Sequence, residues 1–190
     1  MSWTTLVPLK PRIARKTRLA DSMAANERAL LSERMFDHVI AVLRATPGIS
    51  RIVLLAPEAP ADWPHDWVRD EDRGLNAELA AFQAAEASTD LLIIHADLPL
   101  LASADVEVLL GAATRTGIAI APDRHDRGTN ALACSAGMAI QPRFGPDSFE
   151  LHRSEAPDCA IIRREGLAID VDTPEDLELV EAASRFSAGT

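Results

Sequence analysis

The chain has 190 residues, 47% of them hydrophobic, and carries a formal net charge of −10 at pH 7. This length suits a single domain covering residues 1–190, which is large enough to bury an apolar core without disulfides or structural metals. The negative charge argues against binding to nucleic acid or an anionic membrane, and the lack of an apolar membrane-spanning stretch or secretory signal leads us to expect a cytoplasmic protein.

Apolar periodicity predicts strands and helices in alternation through more than half of the chain. The predicted strands are residues 4–9, 51–56, 91–95 and 118–121. The predicted helices are residues 27–43, 75–86 and 103–113, the last with Ser103 as its N-cap. We interpret the intervening residues 57–67 as a surface loop. This alternation predicts an α/β fold with a mainly parallel sheet covered by helices on both faces.

From Thr129 onward the predicted elements become shorter. We expect strand-like pieces at residues 131–134 and 160–163, a short helix at 148–153 and a final helix at 174–185. Thr173 is the predicted N-cap of that final helix, with Pro174 at its first position. The two cysteines, Cys134 and Cys159, match no CxxC spacing, so we assign them no role.

Two runs that contain aspartates indicate a metal site. Residues 92–100, LIIHADLPL, form an apolar strand that leads to Asp97, at the edge where open α/β sheets bind ligands. Residues 168–176, AIDVDTPED, place Asp170 and Asp172 before a helix start, where capping does not account for them. The three carboxylates are candidate ligands for a divalent cation. Taken alone, the first run also suits an ordinary strand end, and the second a helix cap.

A basic segment follows the first predicted strand. Its five positive charges within residues 10–18 are Lys10, Arg12, Arg15, Lys16 and Arg18. In an open α/β fold this loop lies at the ligand edge, so its cations are placed to meet polyphosphate; a solvated basic loop is the alternative. The chain has neither GxxxxGK[ST] nor GxGxxG, so a phosphate site would depend on side-chain cations and loop amides.

Further polar candidates occupy predicted turns and helix starts. Gly74 allows close approach of a ligand, and Asn76 can donate to and accept from a purine edge, although it also fits an ordinary helix start. Thr129, Gly145 and Ser148 would together form a small pocket for a phosphate or carboxylate, with Ser148 starting a helix whose amides face the anion. Ordinary roles in turns and helix caps explain the presence of these three residues about as well.

These motifs together resemble the 2-phospho-L-lactate guanylyltransferase family of coenzyme F420 biosynthesis, a branch of the MobA-like nucleotidyltransferases. The resemblance covers nearly the whole chain, through VPLKPRIARKTRLA, RGLNAEL, HADLPL, APDRHDRGTNAL, RFGPDSF and AIDVDTPEDL, in matching order and spacing. It implies a Rossmann-like nucleotidyltransferase fold that binds GTP and Mg²⁺. The implied reaction joins GMP to the phosphate of a small phosphorylated three-carbon acid, which is 2-phospholactate, phosphoenolpyruvate or 3-phosphoglycerate, and releases diphosphate.

The resemblance also implies roles for individual residues. The implied sets are Lys10, Arg15, Lys16, Gly74 and Asn76 for GTP; Asp97, Asp170 and, as a helper, Asp172 for Mg²⁺; Thr129, Gly145 and Ser148 for the acceptor; and Lys16 and Asp97 for catalysis. One departure is His95, where the family often has proline, and we interpret it as a packed, hydrogen-bonded histidine. The family's labile product passes to a deazaflavin transferase, so transient contact with that enzyme is expected.

The sequence leaves three other functions open. A sensor that binds GTP or a phosphoanion without turnover would tolerate loss of a metal carboxylate, whereas all three aspartates are present. Molybdopterin nucleotidyl transfer is disfavoured because the first loop lacks a glycine-rich LAGG-type run. A structural interaction module ranks last, since it needs neither a cationic loop nor acidic residues at the sheet edge.

Overall fold

The computed structural model describes residues 2–9, 16 and 19–187, the side chains of 182–187 excepted. Its core is one seven-stranded sheet in the order β3-β2-β1-β4-β6-β5-β7. In chain order, the strands are β1 (Trp3–Pro8), β2 (Ile49–Ala56), β3 (Asp66–Arg69), β4 (Asp90–Ile94), β5 (Ile118–Pro122), β6 (Thr129–Cys134) and β7 (Ala160–Ile161). The helices are α1 (Ala25–Ala45), α2 (Leu75–Ala85), α3 (Ser103–Thr116), α4 (Ser148–Glu155), α5 (Glu165–Ala168) and α6 (Pro174–Ser187).

The sheet is mainly parallel, as predicted. β1 pairs in parallel with β2 and β4, β2 with β3, and β5 with β7, whereas β6 runs antiparallel to both of its neighbours. The carboxyl ends of β1 and β4 therefore share one edge with the amino end of β6, which begins at Thr129. This shared edge brings together segments that are far apart in the sequence.

Helices cover both faces of the sheet, which confirms the predicted α/β arrangement. On one face, α1 and α3 pack with alternate residues of the central strands in a core that includes Val39, Leu92 and Leu109. On the other face, α2 and α4 contribute Leu79 and Phe149 to a second core. Because the central strands are buried on both sides, they read as continuous apolar runs, which explains why periodicity located them.

Two local predictions were wrong, and one strand was missed. The surface loop predicted at 57–67 is confirmed for residues 57–65, but strand β3 begins at Asp66; its side chains are all exposed, so no apolar alternation marks it. The strand predicted at 160–163 shortens to two residues and is followed by the short helix α5, which was not predicted. Ser103 is not the cap of α3: Ala102 is the N-cap, and its N–H donates to the Asp105 carboxylate at 3.1 Å.

The start of α6 follows the prediction. The Asp176 N–H donates to Thr173 Oγ1 at 3.4 Å, and the Thr173 N–H donates to Asp176 Oδ2 at 2.7 Å. This reciprocal pair satisfies amides that would otherwise be unpaired at the helix start. It also fixes the segment that carries Asp170 and Asp172.

Among the helices of residues 19–187, none is both long and apolar enough to cross a bilayer.

Candidate active site

Three carboxylates meet at the carboxyl edge of the sheet. Asp97 lies three residues beyond the end of β4, and Asp170 and Asp172 lie between α5 and α6. The Val171 N–H donates to the Asp97 carbonyl at 3.3 Å, which ties the two segments together. One oxygen of each carboxylate lies within 4.8 Å of the others. The arrangement can hold a divalent cation, since such ions take oxygen ligands from converging carboxylates.

The buried atoms of this cluster fit a metal site. Asp97 Oδ1 is buried and has no hydrogen-bond partner among the residues that the structure describes. Burial and the neighbouring Asp97 carboxylate raise the pKa of Asp170 above its usual range. A buried carboxylate oxygen without a hydrogen-bond partner costs free energy, and so does the repulsion between the Asp97 and Asp170 carboxylates. A bound cation would offset both costs. The donor set, all carboxylate oxygen, suits Mg²⁺.

Lys16 is the ammonium group closest to this cluster within the described residues. Its Nζ donates to Asp97 Oδ2 at 2.5 Å and to Asp172 Oδ1 at 3.2 Å, and its side chain is only 6% exposed. Burial lowers the pKa of Lys16, but the charges of Asp97 and Asp172 outweigh burial and raise it overall. Burial likewise raises the pKa of Asp97, and the charge of Lys16 reverses the sign and lowers it. Both groups are therefore charged at neutral pH.

Most of the basic segment lies outside the described residues. Lys10 and Arg15, expected on the GTP phosphates, fall in that part and remain predictions. Lys16 has φ of 53°, a left-handed conformation that non-glycine residues rarely adopt. The Lys16 ammonium lies against the carboxylates of the candidate metal site, and its contact with the GTP phosphates stays a prediction.

Asn130 is a site residue that the sequence analysis missed. It is 2% exposed, and its Nδ2 donates to the Leu167 carbonyl at 3.0 Å and to Asp170 Oδ1 at 3.2 Å. In turn, the His95 N–H donates to the Asn130 carbonyl at 2.9 Å, which joins β6 to the end of β4. The His95 ring packs against Phe144, with centroids 5.3 Å apart. The sequence signal that could have identified Asn130 is its position directly after the candidate residue Thr129.

Asn76 has a structural contact that the sequence did not indicate. Its Nδ2 donates to the Phe144 carbonyl at 3.0 Å, and the Phe144 N–H donates to its Oδ1 at 2.7 Å. Asn76 therefore holds the loop before α4 against the start of α2, and its contact with a guanine edge stays a prediction. Gly74, the N-cap of α2, has φ of +90°, a conformation that explains the glycine.

We expect Asn76→Ala to lower stability by about 1–3 kcal/mol, because it leaves both backbone groups of Phe144 without a partner. Urea denaturation measures this loss. If Asn76 also contacts guanine, the variant will lose preference for GTP over ATP in the same preparation. Asn26→Ala, at the exposed second position of α1, is the matched control. Equal stability of the Asn76→Ala and wild-type proteins would contradict the bracing role.

The three expected acceptor residues lie around the amino end of α4. Thr129 Oγ1 lies 2.9 Å from His152 Nδ1. Gly145 has φ of +129°, with open space where a Cβ would point, and its carbonyl accepts the Ser148 N–H at 3.2 Å. Ser148 begins α4 and is 1% exposed, and its Oγ has no partner among the described residues. A buried hydroxyl without a partner at a helix amino terminus suits an anionic ligand.

Solved structures place the fold in a class. The chain superposes on a CMP:2-keto-3-deoxy-manno-octonic acid synthetase complexed with CTP with a TM-score of 0.61, at 13% identity over 98% of this chain and 100% of the other. It superposes on the 2-C-methyl-D-erythritol 4-phosphate cytidylyltransferase of Thermus thermophilus with a TM-score of 0.59, at 16% identity over 97% and 100%. The fold is therefore the Rossmann-like fold of nucleotidyltransferases.

Sequence relatives narrow this class to one family. Residues 3–182 match the family model described as "Guanylyl transferase CofC like". A phosphoenolpyruvate guanylyltransferase of Sphaerobacter thermophilus is 37% identical over 191 residues, which cover 94% of this chain and 92% of the relative. One of Conexibacter woesei is 32% identical over 94% of this chain and 86% of the relative. The chain belongs to this family of guanylyl transferases and is an enzyme of the nucleotidyltransferase type.

Proposed function

We propose that this enzyme transfers GMP from GTP to the phosphate of phosphoenolpyruvate, with Mg²⁺, and releases diphosphate in coenzyme F420 biosynthesis. The observation that carries the proposal is the pairing, at one sheet edge, of a three-carboxylate cluster with the Ser148 hydroxyl at the start of α4, which has no partner among the described residues. The first site suits the metal of a nucleotide complex, and the second suits a small anion. The acceptor is chosen from the names of the curated relatives.

Asp97 and Asp170 would hold Mg²⁺, with Asp172 as a further ligand. The ion would supply positive charge beside the phosphates of GTP. Lys16 adds an ammonium group at the same edge, and its raised pKa keeps it charged at the pH of the reaction. Charge of this kind offsets the repulsion between two phosphorylated substrates that must meet.

The chemistry needs no nucleophile from the protein. A phosphate oxygen of the acceptor attacks the α-phosphorus of GTP, a new phosphoanhydride bond forms, and the bond to diphosphate breaks. The protein's residues position the two anions: Lys16 at the triphosphate, and Thr129, Gly145 and Ser148 at the acceptor. Asn76 and Gly74 stand at the start of α2, where the guanine base is expected. Positioning and electrostatics of this kind supply most of the rate enhancement in phosphoryl transfer.

Diphosphate release from the purified protein tests this proposal. GTP, ATP and CTP are each combined with phosphoenolpyruvate, 2-phospholactate and 3-phosphoglycerate, with Mg²⁺ and the deazaflavin transferase present to consume the product. We expect release with GTP and phosphoenolpyruvate. Release with a different acid would correct the acceptor, because pocket shape separates ligands that differ by a methyl or a hydroxyl. GTP binding without release from any pair would favour the sensor.

Ser148→Ala gives a sharp test of the acceptor pocket. We expect the KM for phosphoenolpyruvate to rise about tenfold, since one hydrogen bond to a charged ligand is lost. The melting temperature of the ligand-free protein will not fall, because the deleted hydroxyl has no partner among the described residues. Ser103→Ala, at the first position of α3, is the matched control. A lower melting temperature with an unchanged KM would remove Ser148 from the acceptor site.

Two expectations about the enzyme's surroundings belong to the same proposal. The guanylylated product would pass directly to the deazaflavin transferase, and both enzymes would work in the cytoplasm. Pull-down of the transferase in the presence and absence of GTP and phosphoenolpyruvate tests the contact. Capture that depends on both substrates supports transfer of the product between the enzymes.

A further inference from the structure

His152 joins the residues expected to bind the acceptor, although the sequence analysis gave it no role. It is fully buried, and it lies four residues after Ser148, on the same face of α4. Its Nε2 accepts the Arg143 N–H at 2.9 Å, and its Nδ1 lies 2.9 Å from Thr129 Oγ1. Its ring also meets the edge of the Phe144 ring, with centroids 5.1 Å apart. One side chain thus contacts β6, the loop before α4 and the loop's aromatic residue.

The two hydrogen bonds fix the proton on the imidazole ring. A backbone N–H can only donate, so Nε2 must accept through its lone pair. A neutral imidazole then carries its proton on Nδ1, and this N–H donates to Thr129 Oγ1. Burial supports the neutral form, because it lowers the pKa of His152 to about 4.

The fixed tautomer decides what the Thr129 hydroxyl can do. Its oxygen accepts from His152, so its own proton is free to donate to another group. Within the described part of the chain, His152 is the one hydrogen-bond partner of this hydroxyl. Thr129 begins β6 at the sheet edge where β4 ends, and this edge also carries the carboxylate cluster. An anionic acceptor needs a donor at such a place.

We propose that His152 is a positioning residue for the acceptor. It holds the Thr129 hydroxyl as a hydrogen-bond donor and anchors the turn at residues 143–145, so that the turn and the hydroxyl meet the same anion. The identity of the anion in this inference rests on the proposed function. The imidazole tautomer rests only on the two hydrogen bonds of His152. The affinity for the acceptor depends on His152, and the affinity for GTP does not.

Three substitutions separate the two contacts of the ring. His152→Phe removes both contacts and keeps the aromatic shape. His152→Asn can place an amide N–H near the Nδ1 position and keep the bond to Thr129. His152→Gln can place its oxygen near the Nε2 position and keep the bond to Arg143. We expect His152→Phe, which loses both contacts, to raise the acceptor KM by about tenfold or more, and His152→Gln and His152→Asn, which each lose one contact, to raise it less, with the KM for GTP within about twofold in all three variants.

A double-mutant cycle with Thr129→Val distinguishes positioning from packing. We expect His152→Gln to change the acceptor KM by less than about twofold when Thr129 is already Val, because the two changes remove the same interaction. Equal increases in the KM values for GTP and acceptor would overturn the proposal. So would additive effects in the cycle, since they place the loss in packing alone.

The tautomer itself is read from imidazole ¹⁵N chemical shifts of the intact protein. The chain has five histidines, and the His152→Asn spectrum identifies the signal that belongs to His152. We expect the neutral form with the proton on Nδ1 at pH 7. A proton on Nε2, or an imidazolium, would overturn the inference. If the wild-type protein releases no diphosphate with any acid, the proposed function fails while this spectrum still decides the His152–Thr129 contact.

Discussion

Asp97→Asn will reduce Mg²⁺-dependent turnover by about 10³-fold or more, because it removes one full charge from the carboxylate cluster at little change in volume. The unpartnered Oδ1 marks the lost ligand, since no protein group among the described residues satisfies it. The fold will persist, because the substitution also removes the repulsion that raises the pKa of Asp170. Steady-state diphosphate release and a thermal melt measure the two effects.

Asp90→Asn is the matched control for this variant. Asp90 begins the same strand, β4, at the opposite edge of the sheet, and its Oδ1 accepts the Ala136 N–H at 2.9 Å. An asparagine oxygen can accept this bond, so we expect turnover to stay within about twofold of wild type. Metal binding gives an independent readout, since Asp97→Asn will weaken Mn²⁺ binding and Asp90→Asn will not. Full turnover of Asp97→Asn would remove this residue from the mechanism.

The convergence of the carboxylates could be predicted because it follows from topology. Asp97 follows a buried strand, and the carboxyl ends of parallel strands share an edge, so a second acidic run that ends at this edge completes the cluster. The central strands could also be predicted, since burial on both faces of the sheet leaves long apolar runs in their sequence. Strand β3 was not, because its side chains are exposed and its ladder depends on the partner β2.

The remaining features depend on contacts between distant residues. Asn76 holds Phe144, 68 positions later in the chain, and no local pattern specifies that pair. His152 bonds to Thr129 across 23 positions, so the role that we propose for it can be inferred only when α4 is placed against β6. Ser103 satisfied the local rule for an N-cap, but the Asp105 carboxylate already caps the preceding Ala102 N–H. Local propensity cannot weigh such competing partners.

Lys16→Met will weaken GTP binding by about 10- to 100-fold, the loss of one charge-assisted contact to phosphate. The substitution keeps an unbranched side chain of similar length, so packing around this buried position changes little. Isothermal titration with GTP in the presence of Mg²⁺ measures the dissociation constant. Arg51→Met is the matched control, because Arg51 also bridges two carboxylates, Asp66 and Glu86, but near the amino end of β2. An unchanged dissociation constant for GTP in Lys16→Met would show that Lys16 forms an ion pair with the carboxylates and does not bind GTP.

The same variant separates the proposed GTP contact of Lys16 from its ion pairs in the carboxylate cluster. Its ammonium lies between Asp97 and Asp172, so without a metal it neutralises the carboxylates that a cation would otherwise neutralise. Removing it leaves their repulsion uncompensated, and the metal-free protein will melt at a lower temperature than wild type. Added Mg²⁺ binds only the folded cluster and will raise the melting temperature of Lys16→Met more than that of wild type. A smaller rise would mean that Lys16 supports the metal site instead of competing with the metal for its carboxylates.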